Sequence, residues 1–241
     1  RPWGLEYSDS KGGVASGNET IFLQLPAGQE YTSKRLAISI GPDVHRLIFD
    51  LAMGVGWQRD VGFASSIIPV PGDSGSDLLA VAYALDYLKK IGGDNVNAGV
   101  PLLERARTLA SRIVLSQRED GGWGWCGAAP SSGSDIYISS RTLWALAEAR
   151  RQGITINPQT FEKAIAYLKG AFARAEQNDD DAKSVILHSL SSVGEADFAY
   201  ANRLYRNRNA MSSSALAYTA LILVNLNRKE IGGEVLDVLS G

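Results

Sequence analysis

The stretch from Gln117 to Arg150, QREDGGWGWCGAAPSSGSDIYISSRTLWALAEAR, constrains the fold more than any other part of the chain. It reads as the end of one helix, a glycine- and tryptophan-rich turn, a polar loop and a second helix. Gln117, Gly121 and Trp123 fall in the pattern Q-x3-G-x-W, and Trp123 and Trp125 flank a single glycine. A tight turn that carries two large anchors is suited to bracing one helical hairpin against the next. A spacing of about 40–50 residues between helix–loop–helix units fits such a repeated hairpin. The repeat is degenerate, with one legible copy of the Q-x3-G-x-W turn.

Helical patterning runs from about residue 42 to the end of the chain. It predicts helices over 43–53, 76–91, 99–117, 136–152, 158–175, 181–193, 196–206, 213–226 and 229–239. Gly92-Gly93 and Gly153 stand where helix C-terminal glycines belong. Asn157-Pro158 reads as a cap followed by proline at the first helical position. Asp179–Asp181 puts negative charge at a helix N-terminus, where the helix dipole favours it. In SSRTLWALAEA and SSALAYTALILVNL small residues alternate with large ones around much of the circumference. Helices apolar on more than one stripe are usually buried on two sides, as inner helices of a double-layered barrel are.

Residues 1–40 read differently. Thr20–Leu25 and Arg35–Ile40 are short β-like runs, the second alternating Leu36, Ile38 and Ile40 with smaller or polar residues. Segment 54–75 is a long irregular stretch, with a turn at Gly72-Asp73-Ser74-Gly75 and room for a short helix around Phe63–Ile68. The expected division is a β-segment over 1–40 and a helical domain over 41–241. The fold class is mainly α.

The 241 residues are 45% hydrophobic and 21% charged, enough for one large domain or two small ones. A formal net charge of −2 makes nucleic acid an unfavourable partner. No apolar run approaches the roughly 18 residues a membrane span needs. The first residues carry no signal-peptide core. The abrupt start and the LSG end read as a piece cut from something larger. The one cysteine, Cys126, gives no internal disulfide and leaves the redox compartment open. Asn18-Glu19-Thr20 matches the glycosylation sequon, a triplet common by chance.

The Q-x3-G-x-W hairpin resembles the repeat of alpha/alpha toroids, shared by terpene cyclases, protein prenyltransferase beta subunits and the thioester domain of alpha-2-macroglobulins. The order of parts resembles the last group, in its bacterial form. LPAGQEYTSKRLAISIGP leads strand-like residues directly into helices. GGWGWCGAAPSSGSDIYISSRTLWALAEARRQG is similar to that family's aromatic-rich turn, Ser-Asp, Tyr and following helix, and ANRLYRNRNAMSSSALAYTALILVNLNRKE resembles its C-terminal helices. The resemblance spans about residues 20–240 and implies a mainly α fold, a short or incomplete alpha/alpha toroid over 41–241, with the β-segment 1–40 as the remnant or edge of a preceding β domain. The family's chemistry is a thioester between a cysteine and the glutamine three residues on, in Cys-Gly-Glu-Gln. On the resembling segment PGDSGSDLLAVAYALDYL those four positions are Ser74, Gly75, Ser76 and Asp77, and serine with aspartate cannot make the bond. Cys126 is followed by Gly-Ala-Ala, with no glutamine in the third position.

The enzymes of the toroid group need residues that do not fall in place. Class II cyclases protonate an alkene with Asp-x-Asp-Asp, a carboxylic acid strengthened by neighbours that stabilise its anion. Asn178-Asp179-Asp180-Asp181 fails at its first position and reads as a solvated N-cap cluster. Prenyltransferases hold zinc with Asp, Cys and His. Ile138 occupies the matching histidine position, and Gly124 stands two before Cys126. A nucleophile needs a base beside it. His45 and His188 both read as core or rim histidines. Ser74, in a Gly-Asp-Ser-Gly turn that can be exposed, lacks the β-barrel context of a serine protease. Trp57, Trp123, Trp125 and Trp144 could line a ligand cavity, but bracing of the hairpin by Trp123 and Trp125 is the favoured reading.

The expected function is a non-enzymatic protein-interaction module of a larger alpha-2-macroglobulin-like protein, secreted or periplasmic by resemblance. No cofactor or metal is expected. The implied partners are a protein, a protease among them, and other domains of the parent chain, with no nucleic acid and no membrane insertion. The candidate contact residues are Ser74, Ser76, Asp77, Trp123, Trp125, Asp135 and Tyr137, near the toroid mouth. The rival is a cyclase- or transferase-like enzyme binding a lipid in a deep apolar barrel centre with acids at its mouth.

Overall fold

The computed structural model describes residues 20, 22, 71–91, 96–125 and 133–240. Over these the chain forms eight α-helices: α1 (Pro71–Ile91), α2 (Val96–Leu115), α3 (Ile136–Arg151), α4 (Pro158–Arg174), α5 (Asp180–Ser192), α6 (Phe198–Arg206), α7 (Ser213–Asn225) and α8 (Lys229–Ser240). A 3-10 turn, Arg208–Ala210, precedes α7. Thr20 and Phe22 belong to no strand, and the rest of the expected β-segment over 1–40 lies outside the described residues, as do the expected helix 43–53 and the short helix around 63–68.

The helices make two layers. α1, α3, α5 and α7 pack each on the next in chain order, and α2 and α8 lie against α1 and α7, with α4 and α6 bridging further out. The sequence explains the division. Outer helices such as α4 carry one apolar stripe of Phe161, Ala164, Leu168 and Ala171, with solvated residues opposite. The inner helix α3 buries ten consecutive or near-consecutive positions on both flanks, among them Ser139, Ser140, Thr142, Ala145, Ala147 and Ala149. Such small residues let α1 and α5 approach closely on either side. The alternation of inner and outer helices is that of an alpha/alpha toroid, as expected.

Three inner-to-outer corners are built alike. α3 ends at Gly153 with φ 92°, α5 at Gly194 with φ 82° and α7 at Asn227 with φ 59°. In all three the next residue donates back to the carbonyl five positions earlier: Ile154 to Ala149, Glu195 to Leu190 and Arg228 to Leu223. This is the Schellman stop, which needs a left-handed residue. At the helix starts, Asp135, Asn157, Asp179, Asp197 and Ser212 cap α3 to α7 with their side-chain oxygens. Asp179 accepts from the Ala182 amide at 3.0 Å, so the aspartate cluster is a helix cap.

The Gln117 turn works as a clamp between hairpins. Gln117 Nε2 donates to the Gly121 carbonyl at 2.9 Å and to the Thr160 carbonyl of α4 at 3.0 Å. Gly121 has φ 89°, and a Cβ there would lie 2.3 Å from the Lys163 carbonyl oxygen. Trp123 is fully buried and its indole donates to the Ile113 carbonyl at 2.9 Å. Its backbone pairs with Asp135 in an antiparallel bridge and takes the Ser139 hydroxyl as partner for its amide. Trp125, 61% exposed, is no second brace.

One boundary differs in a way that matters for the site. α1 begins at Pro71, five residues before the expected start, so Ser74 and Gly75 are helical and not in a turn. Ser74 is 5% exposed. Gly, Asp and Ser favour turns, but Pro71 suits a first helical position, and Gly75 lies against Thr142 of α3, where an added Cβ would be 3.5 Å from its hydroxyl.

Candidate functional site

The inner layer presents a row of aromatic rings, one from each inner helix. Tyr83 of α1 meets Trp144 of α3 edge-on with centroids 6.3 Å apart, Trp144 meets His188 of α5 at 4.6 Å, and His188 meets Tyr218 of α7 at 5.3 Å. Each ring is a polar aromatic within an Ala-, Ser- and Leu-rich helix. Edge-to-face packing of this kind holds orientation as well as area. Trp144 Nε1 donates to Glu148 at 3.3 Å, Glu148 pairs with Arg151 at 2.5 Å, and Arg151 donates to the Ser192 carbonyl at 2.9 Å. The row is thus tied to its flanking helices. Burial, then the Arg151 charge, pulls the His188 pKa down to about 4. At neutral pH the ring is an uncharged member of the row.

A notch of about 30 Å³ opens beside the row, between Tyr137, Arg141 and Trp144 of α3, Val185 and His188 of α5 and Tyr218 of α7. The buried Ser140 also lines it. A typical small-molecule pocket is about 300–1,000 Å³, so the notch takes a functional group and not a lipid. Tyr137 is half exposed, and its hydroxyl is held above the usual phenol range by partial burial and then by Asp179, Asp181 and Asp135. Those acids are engaged: Asp135 and Asp179 cap helices, and Asp181 accepts from Ser212 and Ser214.

The sequence candidates fall into three groups. Ser76, Asp77, Asp135 and Tyr137 come to one end of the inner layer. Arg141 donates to Ser76 at 3.3 Å, tying α3 to α1, and Asp77 pairs with Arg105 of α2 at 3.2 Å. Ser74 and Trp123 are buried and present no contact surface. Trp125 is exposed, and the loop that follows it lies outside the described residues with Cys126. Tyr83, Arg141 and Tyr218 are not among the sequence candidates, and His188, read there as a core or rim histidine, is buried in the row. Among the described residues no group of His, Cys, Asp and Glu could hold a metal, and no helix is long and apolar enough to cross a membrane.

A wider groove of about 600 Å³ lies on the outer side, between α4 and α6 over α5. Phe172, Leu187 and Leu190 line it together with Lys169, Glu195 and Arg203. The Lys169–Glu195 pair is 2.6 Å, and Phe172 packs edge-on against Tyr200 at 4.9 Å.

No protein-family model and no curated protein matches the sequence. Solved structures do. Salmonella alpha-2-macroglobulin reacted with methylamine matches at TM-score 0.57 and 15% identity, over 81% of this chain and 13% of that one. The chain has the fold of a segment of the bacterial alpha-2-macroglobulins. Native Escherichia coli alpha-2-macroglobulin, spanning domain MG7 to the C-terminus, matches at TM-score 0.57 and 14% identity, over 81% of this chain and 30% of that one. Trypsin-activated Escherichia coli alpha-2-macroglobulin matches at TM-score 0.52 and 15% identity, over 70% and 12%. The chain therefore spans a small part of the alpha-2-macroglobulins it matches.

Proposed function

We propose that this chain is a thioester-less domain of a larger alpha-2-macroglobulin-like protein and that it works by non-covalent protein contact. What supports the reading is the segment whose sequence resembles the family's thioester motif. The resembling segment is Ser74-Gly75-Ser76-Asp77 at the start of α1, and the side chains there are committed to packing and to ion pairing. Ser74 is buried, Gly75 lies on Thr142, Ser76 accepts from Arg141 and Asp77 pairs with Arg105. A serine and an aspartate at these positions form no thioester. The contact surface is the exposed end of the inner layer, with Ser76, Asp77, Asp135 and Tyr137, together with Trp125. The partner class is a protein, with a protease as the first to test, and the setting is secreted or periplasmic. The size of the notch argues against the lipid-binding rival, which calls for a deep apolar barrel centre.

The test is incubation of the protein that carries this chain with trypsin, followed by native and denaturing gels. The expected result is a native complex that separates fully on denaturation. An adduct that survives denaturation, or no complex at all, would overturn the reading.

A further inference from the structure

We propose that the notch between α3, α5 and α7 is a binding site for one side-chain carboxylate of a protein partner, with Arg141 supplying charge and the Ser140 hydroxyl a hydrogen bond. This rests on the inner layer being the contact surface.

The first observation is the state of Ser140. Buried serines of the inner helices mostly have partners. Ser139 donates to the Trp123 carbonyl, and Ser184, Ser189, Ser191 and Ser192 donate to carbonyls three residues back on α5. Ser140 is 1% exposed, lines the notch, and its hydroxyl has no hydrogen-bond partner. A buried polar group left unpaired is costly, so its presence calls for a ligand atom. Thr142 is also unpaired, but it faces Gly75 between α3 and α1 and does not line the notch, so Ser140 is singled out by its place in the notch.

The second observation is the chemistry of the lining. Arg141, Ser140 and the phenols of Tyr137 and Tyr218 all offer hydrogen atoms to a guest. An ionised carboxylate only accepts, and guanidinium with carboxylate is among the stronger charge-assisted pairs. The volume of about 30 Å³ admits a group of a few atoms. Asp135, Asp179 and Asp181, which act on Tyr137, set the charge limit. They repel a dianion such as phosphate more than a single carboxylate, while Arg141 repels a cation.

The probe is acetate, titrated into ¹⁵N-labelled chain at fixed ionic strength, with phosphate and methylammonium as the other arms. The expected result is a saturable shift of the Ser140 amide and the Trp144 indole, with acetate alone and a dissociation constant on the order of millimolar. Arg141→Gln weakens it at least about tenfold, and Ser140→Ala about fivefold. Arg141 is exposed, and an unchanged melting temperature shows that its variant is folded. No saturation by acetate, equal binding of phosphate or methylammonium, or wild-type affinity in Arg141→Gln overturns the site. Any of these outcomes leaves the contact reading to be judged by the trypsin complex.

Discussion

The His188 ring stands edge-on to Trp144, with centroids 4.6 Å apart and planes at 84°. His188 is 3% exposed, and the indole edge is fixed by its hydrogen bond to Glu148. A charged imidazolium would have to give up water in this setting, with the Arg151 charge opposing it. Unfolded, the ring takes up its proton near 6.5, and folded near 4. Between those values the unfolded chain binds more protons, so stability is complete above about pH 6.5 and falls as pH drops through the window, levelling near 4. The loss expected from this group is about 3 kcal/mol. An NMR titration of the His188 ring checks it; a midpoint near the ordinary value would show that the ring is not so desolvated.

Trp123→Ala should destabilise the chain by about 4 kcal/mol in urea unfolding, since it opens a large cavity and removes the bond to the Ile113 carbonyl. Trp125→Ala should cost under about 0.5 kcal/mol, because that ring is mostly in solvent. Equal effects would contradict the division of labour between the two tryptophans.

Two glycines of positive φ separate strain from clash. Gly153→Ala meets nothing within 4 Å and should cost about 1 kcal/mol for the left-handed backbone alone. Gly121→Ala adds a Cβ 2.3 Å from the Lys163 carbonyl oxygen, which is backbone and cannot swing aside. Its cost should exceed that of Gly153→Ala by about 2 kcal/mol or more. Comparison of their melting curves decides the point.

Gln117→Leu removes both bonds of the clamp, leaving the Gly121 and Thr160 carbonyls short of a donor. A loss of about 2 kcal/mol is expected. Hydrogen exchange should then quicken at the α2–α4 junction before it does elsewhere; uniform acceleration would mean that the clamp is not local.

Much of this architecture is legible in the chain because its signals are local. Asn157-Pro158, Gly153 and the Ala- and Ser-rich pattern of α3 and α7 each report a nearby backbone need or a two-sided burial. The Q-x3-G-x-W spacing placed a buried tryptophan correctly at Trp123. The start of α1 misled because Gly72, Asp73 and Ser74 have turn chemistry, and the packing of Gly75 on Thr142 is a contact between residues far apart in sequence. Trp125 looks equivalent to Trp123 in the sequence, but the bridge between Trp123 and Asp135 holds one of them in the core, while Trp125 is exposed. Trp144 and His188 stand out in the sequence singly, but their assembly into an aromatic row is not legible there. Tyr83, Trp144, His188 and Tyr218 meet only through the relative register of four helices, which no local pattern encodes.

The proposed function requires that no thioester forms at Ser74 to Asp77. Methylamine is a small nucleophile that opens a thioester and remains attached. Intact-mass spectrometry of the protein carrying this chain, before and after methylamine, is the direct measurement. An unchanged mass is expected. A mass gain localised to this chain would contradict it.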